Sequence, residues 1–489
     1  MRARRCSIAL VACRPGGSQH AFLHRKSEAF PWNWNAGMLR ATWGPRGRTF
    51  ARAKSSDIAL ASHDGAQPSI RAGVDVETEW ERSMEALQDL ITKRHREKLQ
   101  TDSLDAMRDY LARLDLDVGK LLVIHVAGTK GKGSTCTMVE SMLRSKGYRT
   151  ALYTSPHLMD VRERIRIDGE LLPKQVFAHY FWEVHQQLRQ TAEAPSTRFS
   201  SMPGYFRFLT LLAFKVFLSQ KVDVAVIEVG LGGRLDATNV VSPIVCGITS
   251  LDYDHTNVLG DTLAQIAFEK AGILKPGVDS FTAPQLPEAR AVLESRAAEV
   301  GSKLRVVPPL TAFELESDKP VQLGLQGEIQ HVNAALAVAL VNSFLASPAA
   351  ASSSSRFLAA AGVAPTGAPA DTDAPPFYLP DAYREGLQRA QLWGRCQRLA
   401  WLPPSMPPST ASAARTPRSD AADPELGKAA CGESDMSTVL FYIDGAHTKD
   451  SLASGVRWAE ENLRSGAPGD GPASSGRRVL VFYCSGPFS

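Results

Sequence analysis

The chain has 489 residues, of which 44% are apolar and 22% are charged, proportions typical of a folded globular protein. They exclude disordered, collagen-like and coiled-coil classes, and no apolar run approaches the roughly 18 residues of a membrane helix. The seven cysteines are scattered without metal-type spacing, which is typical of free thiols in a reducing compartment.

The formal net charge of +4 is unevenly distributed. Residues 1–54 carry eleven Lys or Arg and a single acid, Glu28, which gives +10, and the remaining residues carry about −6. An Arg-rich, acid-poor start predicts an organelle transit peptide; a basic tail without a targeting role is the alternative. Residues 55–75 are polar and predict a linker. The rest of the chain has no basic face, so we expect no nucleic-acid partner.

Two amphipathic patterns come next in the chain. Apolar residues recur at helical spacing from Trp80 to Ile91 and again from Leu104 to Leu114, the second behind an N-cap at Asp102 or Ser103. Both patterns predict helices that pack one face on a core.

From residue 121 the pattern changes to unbroken apolar runs, which are typical of parallel strands buried on both faces. These runs occupy residues 121–126, 150–154, 222–229 and 244–249. A helical pattern begins at Ser134 and is closed by Gly147, and residues 205–218 are apolar all round, which predicts a buried helix. Together they predict an α/β fold with a doubly wound, mostly parallel sheet.

Three stretches rich in Ala, Ser, Pro or Gly interrupt this fold, at 347–376, 403–437 and 465–476, and they predict linkers or insertions. We therefore expect a large domain at 76–346 and a smaller one at 377–489. In the smaller one, predicted strands at 438–443 and 478–484 flank a predicted helix at 449–463. That is one βαβ unit, so we expect an incomplete α/β domain.

The strongest local motif lies at residues 125–135, His-Val-Ala-Gly-Thr-Lys-Gly-Lys-Gly-Ser-Thr. Glycines between a strand and a helix let backbone N–H groups surround phosphate oxygens, so the motif predicts a phosphate-binding loop. Lys132 is positioned to reach the β- and γ-phosphates. Ser134 or Thr135 is positioned to reach a phosphate or Mg²⁺. The Gly-Lys-Gly-Ser order departs from the usual G-x-x-x-x-G-K-[ST] pattern, and a ligand-free glycine turn is the alternative.

Polar residues follow or end three of the predicted strands: Ser155, Glu228 and His255. Ligands of open parallel sheets gather at the carboxyl ends of the strands. A carboxylate inside a buried strand needs compensation, which Mg²⁺ beside phosphates would supply. The alternatives are an arginine partner for Glu228, a turn at Ser155 and a helix cap at His255.

Several motifs together resemble the folylpolyglutamate synthase family of the Mur ligase superfamily. They occupy residues 128–135, 154–158, 228–239, 254–255, 269–272 and 444–447. The resemblance spans about 77–345, 391–398 and 438–489. It implies a P-loop domain similar to the Mur ligase central domain, followed by a smaller C-terminal domain.

The family's reaction would add glutamate to the terminal glutamate of a tetrahydrofolate. ATP phosphorylates the terminal carboxylate, and the amino group of L-glutamate attacks the acyl phosphate to form an amide. The resemblance implies ATP and Mg²⁺, a further monovalent cation, and a monomer without an integral membrane segment.

The resemblance also implies roles for individual residues. Lys132, Lys270 and His447 would be catalytic, with Lys270 carbamylated, and Ser155, Glu228 and His255 would ligate the metal. The nucleotide would contact Gly128, Gly131, Lys132, Gly133, Ser134, Asn333, Arg395 and Asp444, the last two from the C-terminal domain. The folate would be bordered by Pro156, His157, Arg162 and Arg164.

Two alternatives of function stay open at this point. One is a dihydrofolate synthase, and the other is a truncated, inactive homologue that binds folate or nucleotide; a P-loop kinase or GTPase is disfavoured by the glycine order. The Arg-rich start favours the mitochondrial matrix over a plastid or the cytosol.

Overall fold

The computed structural model describes residues 75–93, 104–194, 197–350 and 377–401, the strands at 7–13, 439–444 and 478–484, and residues 457–458. All structural statements below concern these residues. They form two compact units, one built mainly from 75–393 and one that combines the strand at 7–13 with strands after residue 394.

The elements are numbered in chain order. The helices are α1 (Val76–Lys93), α2 (Leu104–Arg113), α3 (Lys132–Ser145), α4 (Lys174–Gln190), α5 (Tyr205–Ser219), α6 (Thr256–Leu259), α7 (Leu263–Ala271), α8 (Pro287–Val300), α9 (Ile329–Leu345) and α10 (Asp381–Arg389). The strands are β1 (Ser7–Cys13), β2 (Val123–Ala127), β3 (Thr150–Tyr153), β4 (Ile165–Ile167), β5 (Glu170–Leu171), β6 (Val224–Glu228), β7 (Val245–Ile248), β8 (Asp279–Thr282), β9 (Lys303–Val306), β10 (Glu314–Leu315), β11 (Tyr378–Leu379), β12 (Gln397–Trp401), β13 (Val439–Asp444) and β14 (Arg478–Cys484).

The first unit is organised around a mixed, mostly parallel sheet of the order β5-β4-β3-β6-β2-β7-β8-β9. Neighbouring strands pair in parallel along the series β3-β6-β2-β7-β8-β9. The short strands β4 and β5 extend the β3 edge and pair antiparallel. The predicted α/β fold with a mostly parallel sheet is confirmed. The antiparallel edge was not predicted, because strands of two or three residues leave no readable pattern.

Helices cover both faces of this sheet, as alternate side chains of the central strands show. Ile124 and Val126 of β2 pack with apolar residues of α3, α9 and α10, whereas Val123 packs on the other face with residues of α1, α2, α4 and α5. On that second face Cys246 and Ile248 of β7 contact residues of α7 and α8. Burial on both faces explains the unbroken apolar runs.

The predicted elements of this unit agree with the structure to within a few residues. The helices predicted from Trp80 and from Leu104 are α1 and α2, and the buried helix predicted at 205–218 is α5. Helix α3 begins at Lys132, two residues before the predicted start at Ser134. Asp102 and Ser103, the predicted N-caps of α2, lie outside the described residues.

The second unit contains a sheet of the order β1-β14-β13-β12. The strands predicted at 438–443 and 478–484 are β13 and β14, which pair in parallel. The helix predicted at 449–463 lies outside the described residues except for 457–458, which are helical. Strands β12 and β1 flank the pair, both antiparallel. Strand β1 falls within the predicted transit peptide, a role that stays a prediction.

Across the part of the chain that the structure describes, every helix is too short or too polar to cross a membrane.

Candidate functional site

The glycine-rich loop leaves the carboxyl end of β2 and leads directly into α3. Its backbone takes positive φ angles at Gly128 (145°) and Gly131 (90°), which only glycine adopts without strain. Gly131 is the N-cap of α3 and supplies no side-chain cap. The first N–H groups of α3 therefore lack a capping side chain, which is the arrangement that binds anions at a helix N-terminus.

Two side chains from distant segments fill the space beside these glycines. A Cβ on Gly131 would lie 2.1 Å from Oδ1 of Asn333, and one on Gly128 would lie 1.8 Å from Oγ1 of Thr249. The amide of Asn333 is 2% exposed and donates to Gln330 Oε1 at 2.9 Å. Asn333, a predicted nucleotide contact, is thus held against the loop.

Glu228 ends the central strand β6, and its side chain lies at the start of α3. A Cβ on Gly133 would be 3.3 Å from Oε2 and 3.7 Å from Oε1 of Glu228, and Oε2 accepts a hydrogen bond of 2.8 Å from the Ser155 N–H. The residue is only 4% exposed. The structure therefore brings together Glu228, Ser155 and the glycine-rich loop, as the sequence predicted.

The oxygen donors at this point suit a hard divalent cation. A buried carboxylate lies beside a helix N-terminus that favours phosphate. Ser155, whose N–H donates to that carboxylate, also carries a hydroxyl, and oxygen ligands are what Mg²⁺ prefers. His255, the third predicted ligand, follows β7 in the loop that ends at α6, and its side chain is 57% exposed with Nε2 3.8 Å from Oδ1 of Asp254. Within the residues that the structure describes, His, Cys, Asp and Glu side chains form no cluster of three that could hold a metal.

Lys270, on α7, is buried next to the glycine-rich loop. It is 4% exposed, and its Nζ donates to the Gly128 carbonyl at 2.8 Å. Burial, followed by the nearby charge of Lys132, lowers its pKa to about 7, although Asp254 and Asp236 oppose the shift. A large fraction of Lys270 is consequently a neutral amine at neutral pH, unlike an ordinary lysine.

Lys132 lies in the first turn of α3, and its Nζ is 3.4 Å from the Thr129 carbonyl. The charges of Lys132 and Glu228 act in opposite directions on the pKa of buried Cys136, which desolvation raises. Both charges are therefore within electrostatic range of the same turn. Ser134, the next predicted phosphate contact, is buried.

The predicted folate-binding residues lie in the segment after Ser155. Arg164 Nε donates to Nδ1 of His157 at 2.8 Å, and its guanidinium lies 5.7 Å from the ring centre of Tyr205. Arg162 instead pairs with Asp160 at 2.6 Å and donates to the Leu172 carbonyl. Pro156 follows a cis peptide bond.

Sequence reasoning missed Glu163, which organises this segment. Its carboxylate accepts the backbone N–H groups of Leu158, Met159 and Asp160 at 2.7–2.9 Å. The Asp160-x-x-Glu163 spacing of a capping box is the signal that could have found it. Asp236 was also missed: it accepts from Leu231 N–H and from Thr238, and burial raises its pKa.

The C-terminal residues of the predicted site belong to the second unit. Arg395 is half-buried and precedes β12, and Asp444 is the last residue of β13. His447 lies outside the described residues. Their predicted roles stay predictions.

Comparison with curated proteins gives extensive similarity. A folylpolyglutamate synthase of Arabidopsis thaliana is 41% identical over 443 residues, which cover 85% of this chain and 68% of the relative. The mitochondrial folylpolyglutamate synthase of Bos taurus is 41% identical over 401 residues, which cover 81% of this chain and 61% of the relative. The chain thus spans about two thirds or less of the length of these relatives.

A solved structure described as an FPGS–AMPPCP complex is also similar, with a TM-score of 0.52 and 25% identity over 79% of this chain and 81% of the other. FPGS abbreviates folylpolyglutamate synthase, and AMPPCP is an analogue of ATP. A comparison with protein-family models finds no match.

The close approach of Asn333 to Gly131 predicts a specific cost for a side chain at that position. We expect Gly131→Ala to lower the free energy of unfolding by about 2–4 kcal/mol, since the positive φ strains alanine and the new Cβ meets the Asn333 amide. Urea denaturation followed by circular dichroism measures the change.

Gly277→Ala is the matched control, because Gly277 has a φ of 74° but no atom lies within 4 Å of the position that a Cβ would take there. It isolates the backbone cost, which we expect to be about 1 kcal/mol. Equal losses in the two variants would show that Asn333 does not pack against the loop.

Proposed function

Because the chain belongs to the folylpolyglutamate synthase family, we propose that it is an ATP-dependent ligase that adds glutamate to the terminal glutamate of a tetrahydrofolate. The observation that carries this proposal is the position of the buried Glu228 carboxylate beside Gly133 and the Ser155 N–H. Phosphoryl transfer depends on positioning and charge neutralisation, and these groups offer both.

ATP is the proposed phosphoryl donor. The positive φ angles of the glycine-rich loop and the uncapped start of α3 support a phosphate site, and the similar structure that contains AMPPCP supports a nucleoside triphosphate. We assign the phosphates to the loop glycines Gly128, Gly131 and Gly133 with Lys132 and Ser134. Asn333 would fix the loop by packing against Gly131 and would also contact the nucleotide.

Ser155, Glu228 and His255 are the proposed magnesium ligands. When bound, the cation would neutralise charge on the phosphoryl oxygens as the γ-phosphoryl group moves to the folate carboxylate. Lys132 would add positive charge on the same oxygens. The amino group of glutamate then attacks the acyl carbon, so that a C–N bond forms, the C–O bond to phosphate breaks and the amine releases a proton.

Lys270 is proposed to become carbamylated. A neutral amine can attack CO₂: the C–N bond forms, one proton is released, and the product is an anionic carbamate. The low pKa of Lys270 supplies the neutral amine. The carbamate would place a second negative group next to the loop, where it can ligate a further metal ion.

On the folate side, Arg164 is the stronger candidate of the two arginines. The guanidinium of Arg162 already pairs with Asp160, whereas Arg164 contacts His157, whose pKa is lowered by burial and by Arg164 itself. The imidazole is then neutral near pH 7 and accepts the hydrogen bond from Arg164, while the guanidinium carries a positive charge. This charge suits an anionic glutamate tail. Pro156 and His157 would border the same substrate.

The remaining parts of the proposal concern the second unit and the N-terminus. Arg395 and Asp444 are proposed nucleotide contacts and His447 a proposed catalytic residue. The domain boundary expected at 347–376 is replaced by one near residue 393, because β11 and α10 belong to the first unit. A monomer and a further monovalent cation are also proposed. The mitochondrial bovine relative supports a transit peptide at 1–54 and a matrix location.

Product analysis tests the function directly. Incubation with tetrahydropteroylglutamate, L-glutamate and ATP should yield a product longer by one glutamyl residue, identified by mass spectrometry, and only when all three substrates are present. A product from dihydropteroate instead would identify a dihydrofolate synthase. Calorimetric binding of AMPPCP without any ligated product would identify an inactive nucleotide-binding homologue.

The metal assignment predicts the behaviour of Glu228→Gln. Glutamine keeps the size and an acceptor for the Ser155 N–H but removes the charge, so the fold should persist. Losing a stabilising contact of several kcal/mol in the transition state lowers kcat/KM by about 100-fold or more. Steady-state kinetics over a range of Mg²⁺ concentrations measures the effect.

Glu294→Gln serves as the control, since Glu294 is half exposed on α8 and pairs only with Arg290 among the described residues. We expect it to match the unaltered enzyme. If Glu228→Gln retains full activity at every Mg²⁺ concentration, Glu228 is not a metal ligand.

Carbamylation predicts a response to bicarbonate that depends on pH. Raising the pH through about 7 deprotonates Lys270. Enzyme is first depleted of CO₂ at a pH below about 7, where it should lose activity. It should regain activity when bicarbonate is added at a pH above that value. Intact-protein mass spectrometry should show the mass of one added CO₂. Lys270→Arg keeps a cation without a nucleophile and should respond in neither assay; a bicarbonate response in that variant would exclude Lys270 as the modified residue.

A further inference from the structure

The glycine-rich loop is bound to the loop that carries His255. The backbone N–H groups of Thr129 and Lys130 both donate to the carbonyl of Ser250, each at 3.1 Å. Ser250 follows β7, which lies beside β2 in the sheet. Two consecutive donors on one carbonyl fix the middle of the first loop to the beginning of the second.

The hydroxyl of Thr129 extends this contact by two residues. Oγ1 donates to the carbonyl of Asp252 at 3.1 Å and accepts the N–H of Asp252, also at 3.1 Å. The Thr129 hydroxyl oxygen therefore bonds both the N–H and the carbonyl of Asp252. Valine has the shape of threonine and can make neither hydrogen bond.

Flanking contacts hold the same two loops. Lys130 forms an ion pair with the side chain of Asp252. From the opposite side, the amide of Gln285 donates to the Thr249 carbonyl and accepts the Leu251 N–H, both at 2.9 Å. The loop from 249 to 252 is thereby fixed on both sides, three residues before His255.

We propose that Thr129 is a positioning residue that sets the His255 loop relative to the phosphate loop, so that nucleotide and metal are bound as one unit. The inference rests on the proposed function, because it presumes that the first loop binds phosphates and that His255 ligates Mg²⁺. It adds a residue whose hydroxyl and N–H are bonded to the His255 loop and which acts through the backbone of Asp252.

The test is the thermodynamic coupling between the two ligands. Calorimetry gives the Kd of AMPPCP without and with Mg²⁺. The Kd without Mg²⁺ divided by the Kd with Mg²⁺ measures how far the metal strengthens nucleotide binding. We expect Thr129→Val to lower this ratio about fivefold and Thr129→Ser, which keeps the hydroxyl, to restore it. Thr197→Val removes a hydroxyl that donates to the Thr191 carbonyl in another loop and should leave the ratio unchanged.

A second variant keeps the inference testable if Thr129→Val does not fold. Thr129→Ala also removes the hydroxyl and both hydrogen bonds to Asp252 but places no apolar γ-carbon between the two loops, and it should lower the ratio about fivefold as well. An unchanged ratio in folded Thr129→Val, or in Thr129→Ala where the former does not fold, overturns the inference while the proposed function stands. Absence of AMPPCP binding to the unaltered enzyme overturns both.

Discussion

The buried carboxylate of Glu228 is the interaction on which the arrangement of the site depends. An ionised side chain in the interior is strongly destabilising unless charges or hydrogen bonds compensate it. Here the Ser155 N–H donates to it, and the start of α3 places partial positive charge beside it. One acid thereby fixes the end of β3, the end of β6 and the first turn of α3 relative to one another.

The same low-dielectric environment gives two lysines different properties. Lys132 lies half-buried in the turn that offers N–H groups to an anion, and its charge adds to theirs. Lys270 is more deeply buried and feels the charge of Lys132, so its own proton is weakly held. Burial therefore separates a lysine that contributes positive charge from an amine that can react, although the two residues are of one type and belong to one site.

Much of the fold could be predicted because its central strands are buried on both faces. The runs at 121–126, 222–229 and 244–249 contain few polar residues, and each became a strand of the main sheet. Strands β8 and β9 were not predicted: β8 reads Asp-Ser-Phe-Thr and β9 reads Lys-Leu-Arg-Val, so polar residues hide their pattern. Strand β9 lies at the edge of the sheet, and its side chains alternate between exposed and half-buried.

The site could be predicted only to the extent that its residues follow strands. The sequence indicates that Ser155 and His255 come after strand ends and that Glu228 ends a strand, but it does not indicate strand order. In the sheet, β6 lies between β3 and β2. That order alone lets one side chain on β6 meet the residue after β3 and the helix after β2. If β6 were at an edge, Glu228 could contact at most one of them. Contacts such as Asn333 with Gly131, about 200 residues apart, depend in the same way on topology, which local periodicity does not record.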